Sequence, residues 1–208
     1  MKVYNPWSFP VNGKPVGDLL SADGPILRLN DGGMDWQNLP IAPLLYRGVD
    51  AIIANDNSGD TTTMWPNGTS LYMTMQWAQK QGLAFPDVPS PDQIMAQGIN
   101  DRPAFYGCNA TSGPLIVWIP AAAGISGADG VVNIGTVSFS VEENLVPTFI
   151  ANGNANILRG SGTLAGQKTP VNWPQCVACA VMQRQLRKLG NGTMPATCQT
   201  CFSQLCYS

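Results

Sequence analysis

The chain has 208 residues, 44% of them apolar and 12% charged, with a net charge of −2 and a pI near 4.9. This suits one substantial core, either one domain or a large piece of one, and the weakly acidic balance offers no footprint for a phosphate backbone, so nucleic acid is not an expected partner. Histidine is absent, which rules out a Ser-His-Asp triad, and no apolar run approaches the ~20 residues of a membrane-spanning helix.

Glycine and proline, 22 and 17 residues, predict many turns and few long helices. Residues 1–25 read as an irregular Pro- and Gly-rich lead-in, and Met1-Lys2-Val3-Tyr4-Asn5-Pro6-Trp7 lacks the apolar region of a secretory signal. A strand is expected over Ile26–Asn30, running into Asp31-Gly32-Gly33. Glycine allows a close approach there, so Asp31 reads either as a general base or orienting partner of a serine, or as an Asx-turn residue ending a strand. Val49–Ala54 reads as a buried strand that exits into Asn55–Asp60. Asp56 and Asp60 are weaker acid candidates, suited equally to capping and solvating that loop.

Leu71, Tyr72, Met75 and Ala78 follow helical spacing between residues 69 and 82, with Gly82 as the stop. Pro114–Ile119 predicts another buried strand, and Val131–Val141 contains alternating stretches suited to one more. Between them, Gly124-Ile125-Ser126-Gly127-Ala128 has the outline of a nucleophile elbow. It ends in Ala where the elbow needs Gly, and Asp129-Gly130 leads into a β-branched run rather than a helix, so Ser126 is a poor nucleophile candidate. Cys179, Met182, Leu186 and Leu189 fall at helical spacing, with Arg184, Arg187 and Lys188 towards the C-terminal end and Gly190 as cap.

Six cysteines, Cys108, Cys176, Cys179, Cys198, Cys201 and Cys206, accompany three glycosylation sequons at Asn67, Asn109 and Asn191. The spacing of Cys176-x-x-Cys179 and Cys198-x-x-Cys201 also fits a zinc ribbon. An even cysteine set beside sequons favours disulfides and an extracellular setting, with a pairing that spacing alone leaves open.

Several segments together resemble the fungal lysophospholipases, or phospholipase B family, related to the catalytic domain of cytosolic phospholipase A. They are Asp31-Gly32-Gly33 with Asn38–Leu44, Val49–Asp60, Trp65–Thr69, Arg102–Cys108, Pro114–Val117, Trp173–Ala180 and Cys198–Tyr207, in the family's order. The resemblance implies an α/β fold: the loop-rich C-terminal portion of a mixed-sheet phospholipase catalytic domain over residues 1–208, with a disulfide-stapled tail over 172–208. It implies hydrolysis of acyl esters in (lyso)phospholipids at a membrane or micelle surface by a Ser/Asp dyad that uses no histidine or cofactor, and it places the dyad aspartate on Asp31.

The family's serine lies in a Gly-Leu-Ser-Gly-Gly segment upstream of the matched region, as does its glycine-rich oxyanion site, and this chain contains no such segment. Met34 stands where the family commonly has an acid, and Asn55-Asp56-Asn57 varies a Val-Asp-Ser stretch. The expectation is therefore the aspartate-bearing part of a secreted lysophospholipase, its partner being the missing N-terminal part of the same domain and the isolated fragment inactive. The alternative is a non-catalytic, disulfide-rich secreted glycoprotein derived from that family. No lipid-anchor signal follows Tyr207-Ser208, so soluble secretion is the expected form.

Overall fold

A computed structural model describes residues 31–121, 133–134, 138, 140–159, 172–189 and 194–207. The chain divides into a unit Met1–Asp35 and a unit Trp36–Ser208. In the first, the described residues form a 3-10 turn over Gly32–Asp35; the strand expected over 26–30 and the irregular lead-in lie outside the described residues.

The second unit is built on a three-stranded mixed sheet of order β1-β3-β2, with β1 at Ala51–Asp56, β2 at Ala104–Tyr106 and β3 at Leu115–Pro120. β1 pairs parallel to β3, from Ala51 opposite Leu115 to Asp56 opposite Pro120, and β2 pairs antiparallel to it, Tyr106 opposite Ile116. A parallel pair needs a long crossover. Here it carries α2 (Thr69–Lys80) and α3 (Pro91–Ala96), while a short α1 (Ala42–Leu45) precedes the sheet.

β3 is buried along its whole length, which is why its sequence is a continuous apolar run rather than an alternation. Ile116 and Trp118 point into one core with Ile52, Ala54, Leu71, Met75, Ile94 and Tyr106. Leu115, Val117 and Ile119 point to the other face and pack with Phe105, Trp173, Ala180 and Leu205. That second core is roofed by α5 (Trp173–Lys188) and α6 (Ala196–Leu205), and α4 (Val146–Arg159) adjoins it through the Trp173 indole, which donates to the Ile157 carbonyl at 2.6 Å.

The strand read as 49–54 begins and ends two residues later, because its exit is held by polar contacts rather than apolar ones: the Asp56 carbonyl accepts from Ala121 N at 2.7 Å. The helix over 69–82 forms as expected. Its entry needs Gly68, at φ 80°, because a Cβ there would stand 2.4 Å from Ile94 Cδ1. The C-terminal helix also forms, but with a different inward face. Met182 and Leu189 are 45% and 74% exposed, while Cys176, Cys179, Ala180, Gln183 and Arg184 are buried. Two disulfides and a set of polar contacts to the β2–β3 loop set this rotation, outweighing apolar spacing. Gly190 and Ser126 lie outside the described residues, as does most of Val131–Val141, whose described positions are not in a strand.

α4 has its polarity reversed. Asn152 and Asn156 are buried, whereas Val146, Ile150 and Ile157 are 41%, 67% and 44% exposed. Those three share one stripe with Gly153, beside which a Cβ would meet no atom within 4 Å. Among the described residues no helix is long and apolar enough to cross a membrane.

Candidate active site

Asp31 is exposed, and its Oδ1 accepts the Gly33 N–H at 2.7 Å while its carbonyl accepts from Met34 N at 3.1 Å. The Asx-turn reading is thus realised, and it occupies only one carboxylate oxygen. Among the described residues no donor engages the other. Among the described residues, then, the turn engages Asp31 through one carboxylate oxygen.

At the exit of β1, Asp56 is fully buried. Its Oδ1 accepts from Ser58 N at 3.0 Å and Ser58 Oγ at 2.6 Å, and its Oδ2 from the Trp118 indole N–H at 2.9 Å. The Trp118 contact binds the end of β1 to β3, so Asp56 is a lock on the strand exit rather than a solvating loop residue. Asp56→Ala would strand the buried indole and amide donors. The expected loss is about 3 kcal/mol in urea unfolding, with Trp118 fluorescence shifted to the red; a loss below about 1 kcal/mol would refute the lock.

Asp60 is half-buried and accepts the Asn67 N–H at 3.3 Å. Burial pushes its carboxyl up to about 6, the Asn67 N–H opposes this, and the Asp56 charge adds to it. An acid whose folded value is raised penalises the folded state in its charged form. The penalty is full above pH 6 and fades as pH falls towards the ordinary 3.8. Melting temperature is therefore expected to be higher at pH 5 than at pH 7.5, with Asp60→Asn reducing the difference. Any remainder belongs in part to Asp101, also raised by burial. Calorimetry showing the same pH dependence in the variant would remove Asp60 from the account.

The tail is closed by three disulfides, Cys108–Cys206, Cys176–Cys201 and Cys179–Cys198. All six thiols are thereby used, so the paired Cys-x-x-Cys segments are staples between α5 and α6 and not a zinc ribbon. α5 also clamps the loop after β2. Gln183 Nε2 donates to the Cys108 carbonyl at 2.6 Å, Arg187 Nη2 to the same oxygen at 2.7 Å, and Arg187 Nη1 to the Ala110 carbonyl at 2.9 Å. Arg184 bridges the Gly107 carbonyl, at 2.8 Å, and that of Ala110. These basic residues serve loop carbonyls more than their own helix end. The sequence signal for this was a cluster of cations at a helix terminus, which names no partner. Lys188 Nζ donates to Asp50 at 2.5 Å, holding that half-buried carboxyl below its ordinary range.

The sequons differ in setting. Asn67 is half-buried and its Oδ1 accepts from Thr69 N at 3.0 Å and Thr69 Oγ1 at 2.6 Å, whereas Asn109 is exposed. Asn191 lies outside the described residues.

Together these features define a disulfide-braced α/β protein with a mixed sheet and an acid held on a glycine turn. A family model described as the lysophospholipase catalytic domain matches residues 19–208, and the chain belongs to that family. It is 41% identical over 194 residues to lysophospholipase 2 of Aspergillus fumigatus, an alignment covering 88% of this chain and 31% of that protein. It is 36% identical over 194 residues to a lysophospholipase of Penicillium chrysogenum, covering 88% and 30%. With a probable lysophospholipase 2 of Schizosaccharomyces pombe it shares 35% over 210 residues, covering 89% and 30%. The chain thus spans about three tenths of the length of the curated relatives it matches. No solved structure matches it.

Proposed function

We propose that this chain supplies the aspartate of a Ser/Asp dyad hydrolysing fatty acyl esters of lysophospholipids, and of diacyl phospholipids, in a secreted enzyme. Asp31 takes the proton of a serine contributed from outside these 208 residues as that serine attacks the acyl carbonyl. The proton passes to the departing glycerol oxygen, leaving an acyl-enzyme. Asp31 then takes a proton from water attacking the acyl carbon, the fatty acid leaves, and the serine regains its proton. Oxyanion donors come with the serine.

The observation that carries the reading is membership of the lysophospholipase catalytic domain family over residues 19–208, in a chain without histidine. Two structural features support the larger assembly: the uncovered apolar stripe of α4, and Ile53 of β1, which is 53% exposed. Apolar surface of this kind is what a severed domain interface leaves behind. The three disulfides support an oxidising compartment.

The test joins this chain to the upstream region of the Aspergillus fumigatus relative and measures fatty-acid release from lysophosphatidylcholine. Release that depends on Asp31 is expected. No release from any such fusion would leave the non-catalytic glycoprotein as the function. Release surviving Asp31→Asn but lost in Ser126→Ala would overturn the dyad.

A further inference from the structure

A cleft of about 400 Å³ opens between α5 and α6 beside the Cys108–Cys206 disulfide, and Asn109 forms part of its wall. Its volume lies within the range of small-ligand sites. Its lining includes the apolar Leu186, Met194 and half-buried Phe202, with Gln183 and Arg187 of α5. On α6 Phe202 is flanked by Gln199 and Ser203, three residues before it and next to it in sequence, which also line the cleft. Ser203 Oγ donates to the Thr200 carbonyl and Gln199 Nε2 to the Met194 carbonyl, at 2.8 and 2.9 Å, so the oxygens of both side chains keep acceptor capacity.

An aromatic ring flanked by polar side chains suits a ligand with one C–H face and hydroxyl edges, which is the chemistry of a pyranose ring. The cleft is braced by cross-links and hydrogen bonds. Disulfides tie its two helices together, and the carbonyls of Cys108 and Ala110, on either side of Asn109, are held by Gln183, Arg184 and Arg187. The side chain of Asn109 is exposed within the sequon Asn109-Ala110-Thr111. Of the two sequons among the described residues, Asn109 alone joins an exposed side chain to a preformed cleft, since Asn67 is turned into its own Thr69 hydroxyl.

We propose that Asn109 is N-glycosylated and that the cleft seats the first N-acetylglucosamine, its apolar ring face against Phe202 and its hydroxyls towards Gln199 and Ser203. This rests on the secretory part of the function proposed above, but its test involves no lipid hydrolysis, so failure of one leaves the other standing.

The experiment secretes the whole chain from yeast behind an added signal peptide. Peptide mass spectrometry is expected to find Asn109 occupied. Trimming with endoglycosidase H, which keeps the first sugar, should leave the melting temperature unchanged, while Thr111→Ala, which abolishes the sequon, should lower it by about 2–4 °C. Should Thr111→Ala fail to fold, a nuclear Overhauser contact between the sugar's protons and the Phe202 ring in the trimmed wild type decides the matter. An unoccupied Asn109, an equal loss on trimming and on Thr111→Ala, or no contact to Phe202 would each overturn the proposal.

Discussion

Asp31→Asn is expected to lower kcat for lysophosphatidylcholine hydrolysis by roughly 10³- to 10⁴-fold in the fused enzyme, with KM little changed. The substitution is unusually clean. Asp31 holds its turn through one oxygen accepting the Gly33 N–H at 2.7 Å, and an asparagine carbonyl accepts the same bond. What disappears is the capacity to take a proton. In a triad, replacing the aspartate leaves the histidine base in place; here the carboxylate is proposed as the base itself, so a loss of comparable order is expected. Asp31→Ala removes the turn bond as well and should also disturb the Gly32–Asp35 turn, which circular dichroism and protease sensitivity of residues 31–35 would report. Equal kcat in Asp31→Asn and the parent enzyme, within tenfold, would take catalysis away from Asp31.

The parts of the fold legible in the sequence are those governed by apolar burial. Leu115–Ile119 is buried on both faces and reads as an unbroken apolar run, and Leu71, Met75 and Ala78 mark the inward stripe of α2. Where polar groups do the holding, apolar patterning misleads. Asn55 and Asp56 are polar and so suggest that β1 ends at Ala54, yet Asp56 is buried by virtue of three satisfied hydrogen bonds. Apolar spacing misplaces the inward face of α5 beyond Cys179, because Gln183 and Arg184 are buried on loop carbonyls 74 to 77 residues away in sequence. On α4 the fully buried positions among the described side chains are Asn152 and Asn156, polar residues that apolar periodicity does not mark.

The site divides along the same line. The Asp31 turn is local, set by Asp-Gly-Gly chemistry, and its role was suggested by resemblance rather than by spacing. The cysteines announced disulfides but not their pairing, because pairing depends on how α5 and α6 lie against each other and on where Cys108 emerges after β2. Those are tertiary facts. The Asn109 cleft is of the same kind, since its walls come from a loop and two helices separated by about 70 to 100 residues.

Removing the Cys108–Cys206 bridge, as Cys108→Ala with Cys206→Ala, is expected to cost about 4–5 kcal/mol, the largest stability loss of the three bridges. The bridge spans 98 residues, against 25 for Cys176–Cys201 and 19 for Cys179–Cys198. If cross-links act by restricting the unfolded chain, the shorter loops should each contribute about 3 kcal/mol. The long bridge has a native-state role as well. It fixes the chain end where Tyr207 N donates to the Phe105 carbonyl at 2.8 Å and the Tyr207 ring lies 5.8 Å from that of Tyr106. Its removal should therefore loosen the C-terminus from β2, visible as faster hydrogen exchange at Tyr207, whereas the shorter bridges hold α5 against α6. Urea midpoints of the three paired variants, under non-reducing conditions, test the order. A smaller loss for Cys108–Cys206 than for Cys179–Cys198 would mean that helix–helix packing, and not loop closure, sets what these bridges contribute.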